Sequence, residues 1–558
     1  MIVCLRPLAL LKLVSLVLVA MGLHTGIAGN LEAERKDDTG PGGISWIREL
    51  ETGLEAAGQT GRPVLVYFHA EWCSWCQVFE RDILGHPDVG RFIARSYVPV
   101  LVNYDARPEL FRRLGGRGLP YTVILSPDGH VLARLPGILG VADLVATLKD
   151  VLAGRRWLPA SVGDALVHVE RLDTDAYLGF RKAWLDHLDR LYDPGTGDFT
   201  GVLESGVGIK RPAPLAWIYL TERGLWAERT RLAARMARAR LYDEVDGGWF
   251  YFRDPHRDEE HLETAKLLDV NIWMAGWMAA AGKEYDDRIL TRTAELTIDY
   301  LRRVLWDANS GGFWQAQVAD QAYYLADPGE RRNRRMPPVD RIKRTDSNAQ
   351  AAWALVWLAD LLDDDRLREL AAATLDHLLD TQLLGDRLYH AWQVGKGPVA
   401  AFNLPRDMFW VLAAGDRVQR VRFDAHRSRR LELVLQLAVD WLQRHMREGA
   451  ATRLPADLAG LVAWVTVTTQ KDKWPRDATR WALRGLRIGT DTMPQEPVLG
   501  LMAWEALLVQ SSNSPTKAQT DPHIAPGRNG WIRNSCGNKV QNQFLAASAR
   551  AWLVSPVP

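Results

Sequence analysis

Two cysteines separated by two residues form the clearest chemical motif of the sequence. The segment reads Cys73-Ser74-Trp75-Cys76 and follows the apolar run Pro63–Phe68, which has the length of a buried strand. At the start of a helix, the first sulfur faces unpaired backbone N–H groups that favour its thiolate form. We therefore expect Cys73 to act as the nucleophile and Cys76, one turn later, to resolve a mixed disulfide.

Other interpretations of this pair stay open at the level of sequence. The chain has four cysteines, Cys4, Cys73, Cys76 and Cys536, which is too few for a disulfide-stapled scaffold. The pair could be a permanent structural disulfide, a redox-inactive binding motif, or half of a metal site completed by His69 or His86. We predict no metal and no cofactor, because no second cysteine pair or close histidine pair completes a ligand set.

Strands that alternate with helices surround the cysteine pair. Apolar runs predict strands at 97–102, 121–125 and 131–135, and a Ser-Pro-Asp-Gly turn separates the last two. Amphipathic patterns predict helices at 44–57, 77–84 and 141–152. This alternation indicates an α/β unit of about 90 residues.

The pattern changes to repeated amphipathic helices from Asp173 onward. About twelve helical stretches are predicted between Thr174 and Val509. A Leu-aromatic-Asp step followed by a Gly-rich aromatic turn recurs between them, at 191–199, 241–250 and 305–314, with a weaker instance at 388–392. Repeated helical hairpins predict an array or a closed toroid, and six hairpins would form an (α/α)6 barrel.

The chain is therefore divided into five predicted regions. The basic residues Arg6 and Lys12, an apolar run at 13–23 and the small residues Gly26-Ile27-Ala28 predict a cleaved signal peptide and a periplasmic or secreted protein. The alternative is an uncleaved anchor that extends back through Leu8, Leu10 and Leu11, although Lys12 interrupts it. The net charge of +1 gives no support for nucleic-acid binding, and no later segment has the length of a membrane span. The regions are a signal peptide at 1–28, the α/β domain at 44–153, a linker at 154–172, the helical barrel at 173–510 and a low-order tail at 511–558.

The order of strand, cysteine pair and helix resembles thioredoxin. Gly118-Leu119-Pro120 precedes the strand at 121–125, and the resemblance implies that Pro120 is the cis-proline that shapes a substrate groove with Trp72, Ser74 and Trp75. Thioredoxins carry a buried acidic residue on the strand before the motif. Tyr67 occupies that place here, so the usual proton-accepting carboxylate is missing.

The segment 72–81 resembles the YyaL-type family, which includes spermatogenesis-associated thioredoxin-domain proteins. The family usually has Cys-His-Trp-Cys, and here Ser74 replaces the histidine. The resemblance implies a thioredoxin-like domain followed by a six-hairpin, glycosidase-like barrel. It continues more loosely at Lys266 and Asn271, in Thr345-Asp346-Ser347-Asn348, and at Asp407.

A barrel of this type has a central funnel where paired carboxylates or histidines could perform acid–base chemistry on a sugar. The predicted barrel-site residues are Lys266, Asn271, Asp346, Asn348, Asp407 and His390, with Glu263, Asp269 and His261 as further candidates. Trp249, Trp314 and Trp392 are candidate walls for stacking on sugar rings. A basic run from Arg331 to Arg344 is interpreted as a solvated surface or, if it overhangs the funnel, an anion site.

Three functions are compatible with these features. The first is an exported thiol:disulfide oxidoreductase whose helical barrel recognises a partner, either a disulfide- or thiol-containing protein or a carbohydrate. The second is a carbohydrate-active hydrolase or epimerase with an accessory thioredoxin-like domain. The third is a non-catalytic binding protein.

Overall fold

The computed structural model describes residues 40–158, 167–199, 201–202, 208–209, 212–254, 261–449, 451–469, 471–489 and 492–512. The predicted signal peptide and nearly all of the predicted tail lie outside these ranges. The described residues form two compact units. The first comprises residues up to Phe68 with Gln77–Val102 and Pro120–Leu158, and the second comprises His69–Cys76, Asn103–Leu119 and the residues after Pro159. No described helix has the length and apolar character needed to span a membrane.

Four strands of the α/β part form one sheet in the order β2-β1-β3-β4. Their bounds are Val64–His69 (β1), Val98–Asn103 (β2), Tyr121–Leu125 (β3) and Val131–Pro136 (β4). Strand β3 runs antiparallel to both β1 and β4. Every residue of β1 and β3 is buried, which explains why both appear in the sequence as continuous apolar runs.

Helices of this part lie before, at and after the cysteine pair. They are Leu50–Thr60, Ser74–Val78, Pro87–Ser96, Pro108–Arg113 and Val141–Leu152, with a π-helical turn at Phe79–Leu84. Ile93, Leu144 and Leu148 pack with the sheet residues Tyr67 and Ile124 in one core. This architecture confirms the thioredoxin-like fold class.

The predicted helix at 44–57 is wrong in its first turn and a half. Residues 44–49 are not helical, because Ile47 forms a parallel bridge to Val100. Its N–H donates to the carbonyl of Pro99 at 3.0 Å, and its carbonyl accepts from Leu101 at 2.9 Å. Pairing to strand β2 thus competes with the helix for the same backbone groups.

Twelve long or medium helices of the described residues form the second unit's barrel. The outer helices are Thr174–Leu191, Ala227–Leu241, Arg288–Tyr300, Arg366–Gln382, Ala425–Arg447 and Ala478–Leu483. The inner helices are Pro214–Glu222, Leu268–Glu284, Thr345–Leu362, Pro405–Val421, Ala456–Thr468 and Val498–Ser512. Each inner helix contacts the next, and the last contacts the first, so the ring closes. The (α/α)6 fold class is confirmed.

The inner helices are apolar around most of their circumference because each packs against two inner neighbours and an outer partner. Residues Thr345–Ala359, for example, are all buried.

The remaining helical elements of the described residues are short. They are helices at Gln321–Tyr324 and Pro328–Arg332, a π-helical turn at Leu301–Leu305, and 3-10 turns at Pro41–Gly43, Ala451–Arg453 and Lys471–Lys473.

Small sheets connect the hairpins. The described pairs are Tyr192–Asp193 with Asp198–Phe199, Gly201–Val202 with Gly208–Ile209, Phe252–Asp254 with His261–Glu263, and Val167–His168 with Arg487–Ile488. A three-stranded sheet joins Lys266–Leu267, Ala316–Gln317 and Val339–Asp340, and a four-stranded sheet joins Ile342–Arg344, Arg387–Gln393, Leu383–Leu384 and Gly397–Phe402. Two of these strands run directly into the inner helices that start at Leu268 and Thr345, and so fix the side chains at those helix starts.

Candidate functional site

The two cysteines form a disulfide at the point where strand β1 gives way to the helix Ser74–Val78. Their Cα atoms are 5.3 Å apart. The backbone N–H of Cys76 donates to Sγ of Cys73 at 3.1 Å. A thiolate on Cys73 would receive the same donor as a charge-assisted hydrogen bond, which lowers the free energy of the reactive form.

Apolar residues of the second unit cover the disulfide. Cys73 and Cys76 are only 2% and 1% exposed. They pack with Ala70, Trp72, Ala265, Leu267, Ala316 and Ala319 in one cluster. The N–H of Ala319 also donates to the carbonyl of Trp72 at 3.2 Å. A substrate disulfide can reach Cys73 only after part of this cover moves.

Ser74 joins the motif to a buried carboxylate from a distant part of the chain. Its backbone N–H and its hydroxyl both donate to Oε2 of Glu263, at 3.2 and 2.6 Å. The hydroxyl also lies 3.4 Å from Nε2 of His261, whose ring contacts Trp75 with centroids 4.2 Å apart. Burial raises the pKa of Glu263 to about 7, although the hydrogen bonds from Ser74 and Ala265 oppose this shift. Glu263 can therefore exchange a proton near neutral pH.

A second buried connection starts at Trp72. Its indole N–H donates to Oδ2 of Asp105 at 2.6 Å, and Nη1 of Arg344 donates to Oδ1 of the same carboxylate at 2.9 Å. Arg344 also binds Asp346 through two hydrogen bonds of 3.1 and 2.8 Å. Asp346 lies in the first turn of an inner helix. The residue next to Cys73 is thus linked through two ion pairs to the end of the barrel.

Three of the predicted barrel-site residues meet at this end. Nδ1 of His390 lies 2.9 and 3.0 Å from the carboxylate oxygens of Asp407, and all three ligand atoms of Asp346, His390 and Asp407 lie within 4.8 Å of one another. Burial acts to lower the pKa of His390, but the Asp407 carboxylate outweighs it and raises that pKa. All three side chains are at most 1% exposed.

The donor set could in principle hold a metal ion, but its charge surroundings oppose one. Burial acts to raise the pKa of Asp346, and Arg344, His390 and Arg406 outweigh it, so that this pKa lies below its usual range. Arg406 contacts Asp346 at 3.3 Å. With two guanidinium groups already on this carboxylate, the cluster fits an internal ion-pair network better than a cation site.

Lys266 and Asn271 close a turn of the barrel. The ammonium of Lys266 binds Asp243 and the carbonyl of Gly247, both at 2.6 Å. The amide of Asn271 accepts from the N–H of Trp249 at 2.7 Å and donates to its carbonyl at 3.1 Å. These contacts explain the Leu-aromatic-Asp and Gly-Gly-aromatic repeat as one structural unit, in which lysine and asparagine satisfy buried turn groups.

The next hairpin repeats this unit. Lys343 binds Asp307 at 2.7 Å and the carbonyl of Gly311, and Asn348 binds the backbone N–H and carbonyl of Phe313 at 2.7 and 3.0 Å. In both copies the asparagine follows the lysine by five residues. The structure therefore gives Lys266, Asn271 and Asn348 structural contacts, and it brings together Asp346, His390 and Asp407 of the predicted barrel-site residues.

The tryptophans proposed as sugar walls differ in position. Trp249 is fully buried and donates its indole N–H to Thr297 at 2.9 Å, so it offers no stacking face in this structure. Trp314 and Trp392 are half-buried, and their rings hold the Lys343 ammonium at 4.4 and 5.3 Å from the centroids. Both rings contact a cation of the protein itself.

The basic run is only partly a solvated surface. Arg331, Lys343 and Arg344 are buried, and Arg331 pairs with Asp243 and Asp246. The interpretation as surface is therefore wrong for these three residues, because buried carboxylates bind them. Arg332, Arg334, Arg335 and Arg341 are exposed.

Pro120 and Tyr67 lie in the first unit. Pro120 is buried directly before strand β3, and its carbonyl accepts from Gly137 at 3.0 Å. Tyr67 is buried on β1 and donates its hydroxyl to Glu80 at 3.1 Å. The motif strand thus presents a phenol at the place where the resemblance expects a carboxylate.

The sequence predicts Glu263 only as a sugar-site candidate, because its contact with Ser74 spans 189 residues and has no counterpart in local spacing. The sequence places Arg344 among surface cations for the same reason, since Asp105 lies 239 residues away. A Ser in place of the usual histidine at position 74 is the one local sign of an altered hydrogen-bond partner.

Comparisons with known proteins agree with the two-part architecture. Residues 45–127 match a family model described as thioredoxin-like. Spermatogenesis-associated protein 20 of Homo sapiens is 21% identical over 376 residues, which cover 60% of this chain and 44% of that protein. The resemblance to this family is thereby confirmed. The chain spans less than half the length of the curated relatives named here.

Two further relatives each match one part of the chain. The thiol:disulfide interchange protein DsbD of Klebsiella pneumoniae is 29% identical over 112 residues, 19% of this chain and 18% of that protein. Among solved structures, cellobiose 2-epimerase from Spirochaeta thermophila covers 60% of this chain and 99% of its own, with 16% identity and a TM-score of 0.45.

Proposed function

We propose that this protein is an exported thiol:disulfide oxidoreductase whose helical barrel recognises a partner. One observation carries the proposal: the N–H of Cys76 is aimed at Sγ of Cys73, in a disulfide that opens a helix directly after a buried strand. This arrangement selects Cys73 as the sulfur that bears negative charge after reduction. The similarity to a thiol:disulfide interchange protein over 112 residues supports the same chemistry.

In the reaction, the thiolate of Cys73 attacks one sulfur of a substrate disulfide, and the other sulfur leaves as a thiolate that takes up a proton. Cys76 then loses its proton and attacks Sγ of Cys73. The second substrate thiolate leaves, and the protein holds the disulfide seen here. The reverse sequence oxidises a dithiol, and the relative stability of the two redox states decides the direction.

The partner we propose is a protein that contains a disulfide or a thiol, in the periplasm or outside the cell. Export is supported by the sequence of residues 1–28 alone. Because the disulfide is covered, partner binding must displace residues such as Trp72 or Ala319 before exchange begins. The barrel supplies part of this cover, which is consistent with a role in recognition.

The test is the reduction potential of the pair, measured by equilibration in glutathione buffers with thiol trapping. A value roughly between −270 and −120 mV, as in exchange proteins, supports the proposal. A pair that stays oxidised below about −300 mV is structural and overturns it. Turnover on an insulin-type disulfide substrate, abolished in Cys73→Ser, provides the second criterion.

A carbohydrate-active enzyme is the second candidate, favoured by the His390–Asp407 pair beside Asp346 at the inner-helix starts. Acid–base work on a sugar needs such a pair. The candidate requires that these buried groups become accessible. Sugar-dependent quenching of Trp fluorescence, together with a reaction lost in Asp407→Asn, would support it. A broad sugar screen without binding would count against it.

A further inference from the structure

Glu263 is a buried acid without a buried cation beside it. It is 1% exposed, and the hydrogen bonds that its side chain accepts come from Ser74 and from the N–H of Ala265. No salt bridge to it occurs in the described part of the chain. Burying an ionised carboxylate under these conditions is costly, so its charge responds strongly to any second charge that appears nearby.

The redox reaction supplies that second charge. Reduction converts a neutral disulfide into a thiol and a thiolate, and Ser74, which Glu263 holds, lies between the two cysteines. A thiolate on Cys73 and a buried carboxylate that is hydrogen-bonded to the next residue, Ser74, repel each other at low effective dielectric. The cluster around the sulfurs consists of alanine, leucine and tryptophan side chains, which offer little compensation.

We propose that Glu263 takes up a proton when the Cys73–Cys76 disulfide is reduced and releases it when the disulfide re-forms. It is a positioning residue that acts through Ser74, and this inference rests on the oxidoreductase function proposed above. The step balances as follows. A substrate dithiol gives two electrons to the disulfide, Cys76 takes one proton as a thiol, Cys73 stays a thiolate, and the Glu263 carboxylate takes the second proton.

Other ionisable groups lie around this site, and comparison with Glu263→Gln separates their protonation from that of Glu263. Burial raises the pKa of Asp340, which pairs with Ala316 of the cluster around the sulfurs. His261 lies on the same strand as Glu263 and contacts Trp75, and its ring is 3.4 Å from the Ser74 hydroxyl. On the far side of the motif, Asp105 is paired with Arg344. Lys266, three residues after Glu263, is paired with Asp243. Glu263 is the buried carboxylate that accepts hydrogen bonds from Ser74, and its pKa is about 7 in the oxidised protein.

The experiment measures the reduction potential of the full chain from pH 5.5 to 9, with glutathione as the redox buffer. In wild type, the potential should fall more steeply with pH above pH 7 than in Glu263→Gln, because about one more proton accompanies each pair of electrons. Glu71→Gln removes an exposed carboxylate of the same motif and should follow the wild-type slope.

A spectroscopic readout identifies the proton acceptor directly. The reduced-minus-oxidised infrared difference spectrum should contain a protonated-carboxyl band that is absent in Glu263→Gln and present in Glu71→Gln. If Glu263→Gln does not fold, Ser74→Ala serves instead, since loss of the hydroxyl donor should move the break in slope to higher pH. Equal slopes in wild type and Glu263→Gln, with no carboxyl band in the wild-type difference spectrum, overturn the inference.

The two proposals fail in different ways. Full turnover by a Cys73→Ser protein would contradict the proposed oxidoreductase function and, with it, the inference about Glu263. A Glu263→Gln protein with normal turnover and a wild-type dependence of the reduction potential on pH would contradict only the inference about Glu263. A protein that exchanges disulfides and also shows the altered slope supports both.

Discussion

Arg344 donates a hydrogen bond from Nη1 to Oδ1 of Asp105 across 2.9 Å, although 239 residues separate them in the chain. Both groups are buried. Since Asp105 also accepts from Trp72 and Arg344 also binds Asp346, this contact connects the segment beside the disulfide with the barrel's inner-helix ends. The same compact unit therefore contains the cysteine pair and the helical ring.

Replacing Arg344 by Gln should destabilise the protein by about 3–5 kcal/mol, because it leaves Asp105 buried without its cation and removes one of the two guanidinium groups on Asp346. Urea unfolding followed by Trp fluorescence measures the effect. Arg341→Gln is the matched control, since this exposed residue lies three positions earlier and should change the free energy of unfolding by less than about 0.5 kcal/mol. Equal effects of the two substitutions would contradict the assigned network.

The cysteines have distinct predicted roles. Cys73→Ser should abolish turnover on a disulfide substrate, whereas Cys76→Ser should trap a mixed disulfide between Cys73 and the substrate. Non-reducing electrophoresis with mass spectrometry detects the trapped species. Cys536→Ser is the control and should keep wild-type turnover. A mixed disulfide that forms on Cys76 in the Cys73→Ser protein would reverse the assignment of the nucleophile.

Because Glu263 is buried, we expect the stability of the oxidised protein to depend on pH. Folding raises the pKa of Glu263 from the ordinary 4.5 to about 7 because of burial, so the folded state binds its proton more tightly than the unfolded state. Its stabilising contribution is fully present below pH 4.5 and is lost as pH rises through about 7. The shift corresponds to about 3 kcal/mol.

We expect Glu263→Gln to remove this dependence. The free energy of unfolding of wild type, relative to the Gln variant, should decrease by up to about 3 kcal/mol between pH 5 and 8. Urea titrations of the oxidised proteins at the two pH values give the difference. A difference that is constant over this range would show that Glu263 does not titrate there.

We expect the two copies of the repeated turn, at Asn271 and Asn348, to contribute equally to the free energy of unfolding. Asn271→Ala and Asn348→Ala should each lower the free energy of unfolding by about 3 kcal/mol, because each leaves buried backbone groups without partners. Thermal and urea unfolding measure the loss. Asn333→Ala, at an exposed asparagine, is the control and should be nearly neutral. A cost at only one of the two turns would argue against their equivalence.

The local hydrophobic pattern of the sequence was sufficient to predict the strands and helices around the cysteine pair. Strand β3 at Tyr121–Leu125 and the helix Val141–Leu152 have the predicted bounds, and the barrel contains the expected number of hairpins among the described residues. Hydrophobic periodicity reports directly on burial within one element, so these features could be read from the chain. The helix predicted from Ile44 failed at its start because strand pairing at Ile47 is a non-local contact.

The cysteine pair, its place after an apolar strand, and the strand and helix patterns of the two parts can be predicted from the chain alone, because each depends on residues close together in it. The contacts of Glu263 with Ser74 and of Arg344 with Asp105 and Asp346 arise only in the folded protein. The same is true of the turn that Lys266 and Asn271 close. Closure of the helical ring brings these distant segments together, and burial then sets their charges. Neither effect is encoded in the spacing of neighbouring residues.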